Sequence, residues 1–314
     1  MQQQRASGWL ASYLVLGVIW GSSFLFTHIA LQAFAPVSVV FWRLFLGGAT
    51  LAIVIAVRKI ALPKNFKVWL LMSGGGAFMN ALPFVLFAYA QQHVTSILAS
   101  IINGATPIMT LLALLTIFRS EKLKLNVIIG LLIGMVGVLV VLAVWQGFGE
   151  NDPLAVLAMI GAITCYGIGG PFIVRFLTPL KIPNEVMSLG QVGAASIIVL
   201  PFYLMAPLPT GQVTASVVFC LVTLGAVGSG LAYILYYRII KQVGSAIANS
   251  VTYLTPLVAT ILGFLLLGEN LHWYEPVGAV IVVLGALISQ GRLNRMLGIK
   301  DEVFEKKDLH IHVP

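Results

Sequence analysis

The amino-acid sequence predicts an all-α fold, a polytopic membrane protein of ten transmembrane helices arranged as two inverted five-helix repeats. Three observations carry that prediction. The 314-residue chain is 59% hydrophobic and only 9% charged, with mean hydropathy +1.00. Ten apolar runs of spanning length alternate with short connections, and the second half repeats polar landmarks of the first. Such a composition lies outside the range of soluble globular domains, so lipid is the expected solvent.

A crossing needs about 20 mainly apolar residues, because a rise near 1.5 Å per residue must cover roughly 30 Å of hydrocarbon. Runs of this kind fall at 11–31, 36–57, 67–90, 95–118, 125–145, 154–177, 185–205, 214–240, 245–267 and 273–290. The first is longer than a signal-peptide core. Pro36, directly after the cleavage-like Ala33-Phe34-Ala35, would obstruct a peptidase, so the segment is expected to be retained. Short connections make neighbouring helices antiparallel.

Orientation follows from Lys and Arg, which are held on the cytoplasmic side. With the N-terminus inside, every one of the 18 basic residues except Arg43 falls in a cytoplasmic segment, whereas the outer segments carry Glu150, Asp152, Glu269 and Glu275. A plasma or inner cell membrane with both termini cytoplasmic is the expected location. The net charge of +8 then records topology and not a nucleic-acid face, because the basic residues sit between apolar runs.

Thr95 to Thr110 reads TSILASIINGATPIMT, and 149 residues later Gly244 to Ala259 reads GSAIANSVTYLTPLVA. Ser96/Ser245, Ala99/Ala248, Thr106/Thr255 and Pro107/Pro256 coincide, and a one-residue slip pairs Glu121 with Glu269, Gly130 with Gly278 and Gly137 with Gly285. Trp20-Gly21 is answered by Tyr166-Gly167. The predicted organisation is a cytoplasmic tail at 1–10, a first repeat at 11–145, a second at 154–291 and a cytoplasmic tail at 292–314. Five spans per copy make the second enter from the opposite side, the arrangement that lets two halves exchange shapes around a central site.

Trp20-Gly21-Ser22 in the first span, Arg43 in the second, the Thr-Pro steps at Thr106-Pro107 and Thr255-Pro256, and the closing Gly268-Glu269 make the chain resemble the EamA families of the drug/metabolite transporter superfamily. The resemblance covers Ala11 to Gln290, and Ser120-Glu121 departs from the Gly-Glu ending in the first half. It implies secondary transport, commonly export, of amino acids or other small metabolites.

Polar side chains inside spans should face the bundle or a watery cavity. The fourth span carries Ser96, Ser100, Asn103, Pro107 and Thr110 at helical spacing, and the ninth carries Ser245, Asn249, Thr252, Pro256 and Thr260. The third and eighth offer Asn80, Phe84, Phe87 and their equivalents Ser229, Tyr233, Tyr236. Trp20, Asn80, Phe84, Asn103, Tyr166, Ser229, Tyr233 and Thr252 are therefore the candidate substrate cavity. For any single Ser or Thr, interhelical hydrogen bonding is the preferred account. Asn80 and Asn103 are stronger cavity candidates because a carboxamide has more hydrogen-bonding capacity to satisfy, and the aromatics also suit plain packing. Pro107 and Pro256 are candidate gating hinges, with fixed kinks as the alternative. Arg43, one or two turns into its span, could bind a carboxylate, seal an outer gate through Glu269 or Glu275, or hydrogen-bond carbonyls. Because the family pattern carries Arg there across varied substrates, a structural or gating role is preferred. Gly130, Gly134, Gly137, Gly278 and Gly285 form small-residue faces that pack the halves together or make a homodimer, intrachain packing being preferred.

All ten acids lie in loops, tails or span edges, which disfavours obligatory proton antiport through a buried carboxylate. His28 reads as a packed neutral ring, Cys165 and Cys220 as small core residues, and His310-x-His312 as incidental. No phosphate loop, metal cluster or nucleophile-base pair emerges, so no cofactor, metal or catalytic residue is expected and an embedded enzyme is disfavoured. A channel or lipid flippase is the alternative within transport. With no mid-membrane Lys/Arg cluster to accept phosphorylated cargo, a neutral or zwitterionic metabolite such as an amino acid is the leading substrate class.

Overall fold

A computed structural model describes residues 2–94, 96–118, 125–141, 144–146, 152–209, 211–267 and 273–289 of the chain. Several sequence expectations lie outside these residues: the tail at 292–314, the Ser120-Glu121 and Gly268-Glu269 endings, and the basic cluster between Arg119 and Lys124. Among the described residues the structure is helical throughout, with no strand.

The helices are α1 (Gln2–Leu31), α2 (Pro36–Val57), α3 (Phe66–Gly76), α4 (Leu82–Ala90), α5 (Ser96–Asn103), α6 (Thr106–Thr116), α7 (Leu125–Val141), α8 (Pro153–Phe172), α9 (Asn184–Leu204), α10 (Ala215–Thr223), α11 (Ala232–Asn249), α12 (Leu254–Leu267) and α13 (Tyr274–Ser289). Their starts follow local chemistry. Pro36 and Pro153 open α2 and α8, where a missing N–H costs nothing, and Asn65, Asp152 and Thr214 cap α3, α8 and α10 with side-chain oxygens. Six helical stretches are long and apolar enough to cross a membrane, and Thr106–Thr116, Leu125–Val140 and Pro276–Ser289 are shorter apolar helices. Ile53, Leu70, Ile117, Leu157, Ile197 and Val280 are exposed on the outside, a coat that suits lipid and not water. The chain is a multi-pass membrane protein.

Irregularities recur at related places. π-helical segments Ala77–Ala81 and Leu224–Leu231 join α3 to α4 and α10 to α11. The predicted fourth span is broken at Gly104-Ala105, so Pro107 stands in the first turn of α6 and not in the middle of a continuous helix. Pro256 follows a short 3-10 turn, Ser250–Tyr253. The 48-residue apolar stretch Ala215–Leu262 is interrupted at Gly244, whose φ of 83° glycine alone adopts without strain.

The glycine faces meet within the chain. A Cβ at Gly285 would lie 2.4 Å from the Gly134 nitrogen, and one at Gly130 would lie 2.3 Å from the Ser289 nitrogen, so α7 and α13 touch backbone to backbone. His28 departs from expectation: it is exposed on α1, because its position points away from the helices that α1 packs against. Cys220 is buried and Cys165 half-buried, both as free thiols.

Candidate functional site

Residues at the centre of the bundle line a cavity that is partly open to the outside. Its floor and walls come from both halves of the sequence. Trp20, Ser23, Phe24 and Thr27 project from α1; Val39, Val40 and Arg43 from α2; Phe84, Phe87 and Ala88 from α4, with Gln91 at its end. Met79 from the π-helical segment Ala77–Ala81 and Asn103, Thr106, Tyr166, Tyr233, Asn249 and Thr252 from α5, α6, α8, α11 and the 3-10 turn complete the lining. The cavity therefore lies toward the C-terminal ends of α1 and α4 and the N-terminal end of α2.

Six of the eight cavity residues expected from the sequence are brought together: Trp20, Phe84, Asn103, Tyr166, Tyr233 and Thr252. Asn80 and Ser229 do not line the space. Asn80 is fully buried, with no protein partner for either amide atom, and Ser229 is buried behind the wall, where it accepts a hydrogen bond from Arg43 Nε at 2.8 Å. Both residues sit in π-helical segments, 149 residues apart. A π turn inserts a residue into the helical period and rotates what precedes it by roughly 100°. A straight 3.6-residue repeat therefore puts Asn80 on the face of Phe84, and Ser229 on the face of Tyr233, where neither belongs.

The aromatic wall is continuous. Trp20 lies 5.6 Å from Tyr233 and 5.3 Å from Tyr236 between ring centroids, and its indole N–H donates to the Gly228 carbonyl at 3.2 Å. Phe87 stacks on Tyr166, and the Arg43 guanidinium rests 3.9 Å from the Phe84 ring centre. Among the described residues Arg43 makes no ion pair; Glu269 and the Glu275 side chain lie outside the description.

The polar stripes of the fourth and ninth predicted spans interlock. Asn249 Nδ2 donates to Thr110 Oγ1 at 2.7 Å while its Oδ1 accepts from Tyr236 at 2.5 Å, and Thr255 donates within its own turn to Thr252 O at 2.7 Å. Asn103 approaches Thr255 at only 3.5 Å and Thr252 bonds back to Asn249 O at 2.9 Å. Thr110, Asn249 and Thr255 thus act as interhelical ties, and Asn103 retains most of its hydrogen-bonding capacity. The Ser96 side chain lies outside the described residues. Several lining residues escaped the sequence reading, among them Ser23, Phe24, Thr27, Met79 and Gln91. Gln91 Oε1 and Thr106 Oγ1 are buried without a protein partner; Thr106 was visible only as a repeated Thr-Pro step, and Gln91 sits at a helix end where periodicity gives no signal.

Beyond the cavity the bundle is sealed. Tyr233 donates to the Met79 carbonyl at 2.7 Å, Tyr236 and Tyr237 are fully buried, and a Cβ at Gly76 would lie 2.3 Å from the Gln191 carbonyl oxygen. Farther along, Arg58 pairs with Glu185 at 2.9 Å and Lys241 Nζ donates to the Ile182 carbonyl at 2.5 Å.

Comparison with known proteins agrees with this architecture. The model of the EamA-like transporter family matches residues 7–143 and 153–290. The "Uncharacterized transporter YyaM" of Bacillus subtilis is 25% identical over 293 residues, covering 88% of this chain and 92% of that protein. The "Uncharacterized inner membrane transporter YedA" of Escherichia coli K12 is 24% identical over 274 residues, 87% of each chain. A solved structure titled "Crystal structure of protein" superposes with TM-score 0.72 at 21% identity, covering 93% of this chain and 99% of its own, which establishes likeness of fold. With both halves of its length matched by that family's model, the chain belongs to the EamA-like transporter family.

Proposed function

We propose that this protein is a secondary transporter that exports a small neutral or zwitterionic metabolite, such as an amino acid, by alternating access across a plasma or inner cell membrane. The observation that carries the reading is a partly polar, aromatic-walled cavity built from both halves of the chain and closed at one end. Ten crossings fit the helices: the stretch broken at Gly244 counts twice, since 48 residues at about 1.5 Å each exceed two bilayer thicknesses, and three shorter helices join the rest. Two inverted five-helix repeats at 11–145 and 154–291 would leave both termini on one side, and the distribution of Lys and Arg supports the cytoplasmic one. The cavity then faces outward, and Arg58, Glu185 and Lys241 lie at the cytoplasmic end.

The sealed end favours a carrier over a channel. It holds Asn80 and Gln191 fully buried with both amide atoms unpartnered and the Tyr237 hydroxyl likewise. Each such group costs roughly 1–3 kcal/mol while it stays dry, so this seam is ready to accept water when it opens. In the inward-facing state these groups line the vestibule.

Vesicles loaded with a metabolite panel test the reading directly. Saturable efflux and counterflow that require the protein, and that fall in Asn103→Ala and Trp20→Ala variants of normal folding, are expected. Unitary currents, or full transport in every cavity variant, would reject it.

A further inference from the structure

Resting on the reading of the cavity as the substrate site, we propose that Arg43 is its carboxylate anchor and that the molecules bound there carry a single carboxylate on an apolar or aromatic body. Arg43 is half-buried, and an ionised group at a helix centre costs about 2.5–3.5 kcal/mol on insertion scales unless something answers its charge. The structure fixes the group without answering it. Ser229 Oγ takes Nε at 2.8 Å and the Phe84 ring supports the guanidinium plane at 3.9 Å. Nη2 lies near Gly228, where a Cβ would be 3.9 Å away, and among the described residues no carboxylate pairs with either terminal nitrogen. What remains is a rigid, planar pair of donors at the cavity wall, the geometry that receives two carboxylate oxygens side by side.

The rest of the lining narrows the class. Among the described residues Arg43 is the only Lys or Arg that lines the cavity, and no acid lines it. One cation neutralises one carboxylate but leaves a phosphate or dicarboxylate short, and it repels a cationic amine. Gln91 Oε1 and Thr106 Oγ1, buried and unpartnered, can accept from an ammonium or hydroxyl on the same substrate. Zwitterions and hydroxy acids thus fit alongside simple monocarboxylates. This makes Arg43 a recognition residue, where its place in the sequence pattern suggested a structural or gating one.

The test uses the full-length protein in nanodiscs and compares phenylalanine, leucine, tryptophan and 3-phenylpropionate with their primary amides and with phenethylamine, binding being read by calorimetry. At least one carboxylate should bind, its amide about 10- to 100-fold more weakly, the range for losing a charge-assisted contact, and phenethylamine not at all. Arg43→Gln should bring the carboxylate-to-amide ratio near one, and Arg43→Lys should restore part of it; a merely structural role would weaken acid and amide alike. Should Arg43→Gln fail to fold, the wild-type ratios still decide. Amides or the amine binding as well as the acids, no acid binding, or an unchanged ratio in Arg43→Gln would overturn the anchor. Counterflow of non-carboxylate cargo would do so too while leaving the transporter reading intact.

Discussion

The two ends of the central bundle share α11 and the π-helical segment before α4 but otherwise draw on different helices, and they solve opposite problems. At the cavity end, side chains of differing size stand apart: Trp20, Phe84, Tyr166 and Tyr233 hold a space open, and Arg43, Gln91 and Asn103 keep unspent hydrogen-bonding capacity. At the sealed end, glycine lets backbones touch, as at Gly76 against Gln191, and the fully buried Tyr236 and Tyr237 fill what is left. The sealed end is nevertheless not apolar. Asn80, Gln191 and Tyr237 leave polar atoms unpartnered there, so its closure rests on close packing opposed by desolvation. Opening one end therefore need not cost what unfolding a uniform apolar core would.

The largest expected effect comes from overfilling a backbone contact. Gly76→Val or Gly285→Val should reduce the folded yield sharply, with destabilisation of about 3 kcal/mol, at the upper end of ordinary overpacking, read by thermal melting in detergent. Gly161→Ala is the control: its Cβ would meet only Leu86 at 3.5 Å, an ordinary contact, and melting should be unchanged. Cavity substitutions come next. Asn103→Ala should lower the efflux rate about 10-fold or more with little change in melting, since Asn103 retains most of its hydrogen-bonding capacity. Trp20→Ala, which also loses the bond to the Gly228 carbonyl and the contacts with Tyr233 and Tyr236, should lower efflux and melting together.

A smaller effect is expected where the sealed end is pinned. Tyr233→Phe removes the donor to the Met79 carbonyl, a bond contributing about 0.5–1.5 kcal/mol, and should raise labelling of probes near Gln191 several-fold without abolishing binding. The smallest belongs to Glu185→Gln. Its Arg58 partner is 63% exposed, so the pair contributes about 0–1 kcal/mol, and any increase in accessibility at that end should vanish in high salt.

These effects also separate what was legible in the sequence from what was not. Apolar length located the helical stretches, and six of the eight expected positions fall around one central space, because both readings depend only on period and composition. The glycine faces at Gly130, Gly134 and Gly285 likewise read correctly as close packing inside the chain. Asn80 and Ser229 were assigned to the wrong face, since a π turn changes the phase of a helix and leaves no mark in residue type. The break at Gly104-Ala105 was hidden by a run that is apolar enough to continue. Gln91 was invisible for another reason: at a helix end its neighbours are set by tertiary packing, which periodicity does not encode. His28 misled because a lone polar ring in an apolar run suggests burial, whereas near a span end it can face outward.

The central claim is that the cavity and the sealed seam are alternates and never open together. Accessibility measured from both sides of the membrane tests it most directly, with Cys165 and Cys220 replaced by Ser and single cysteines placed at Thr106 and Gln191. The prediction is reciprocal labelling: conditions that protect position 106 from an outside reagent expose position 191 to an inside one, and a transported substrate shifts both rates in opposite directions. Simultaneous labelling at both positions, or a position 191 that never reacts while transport proceeds, would contradict it.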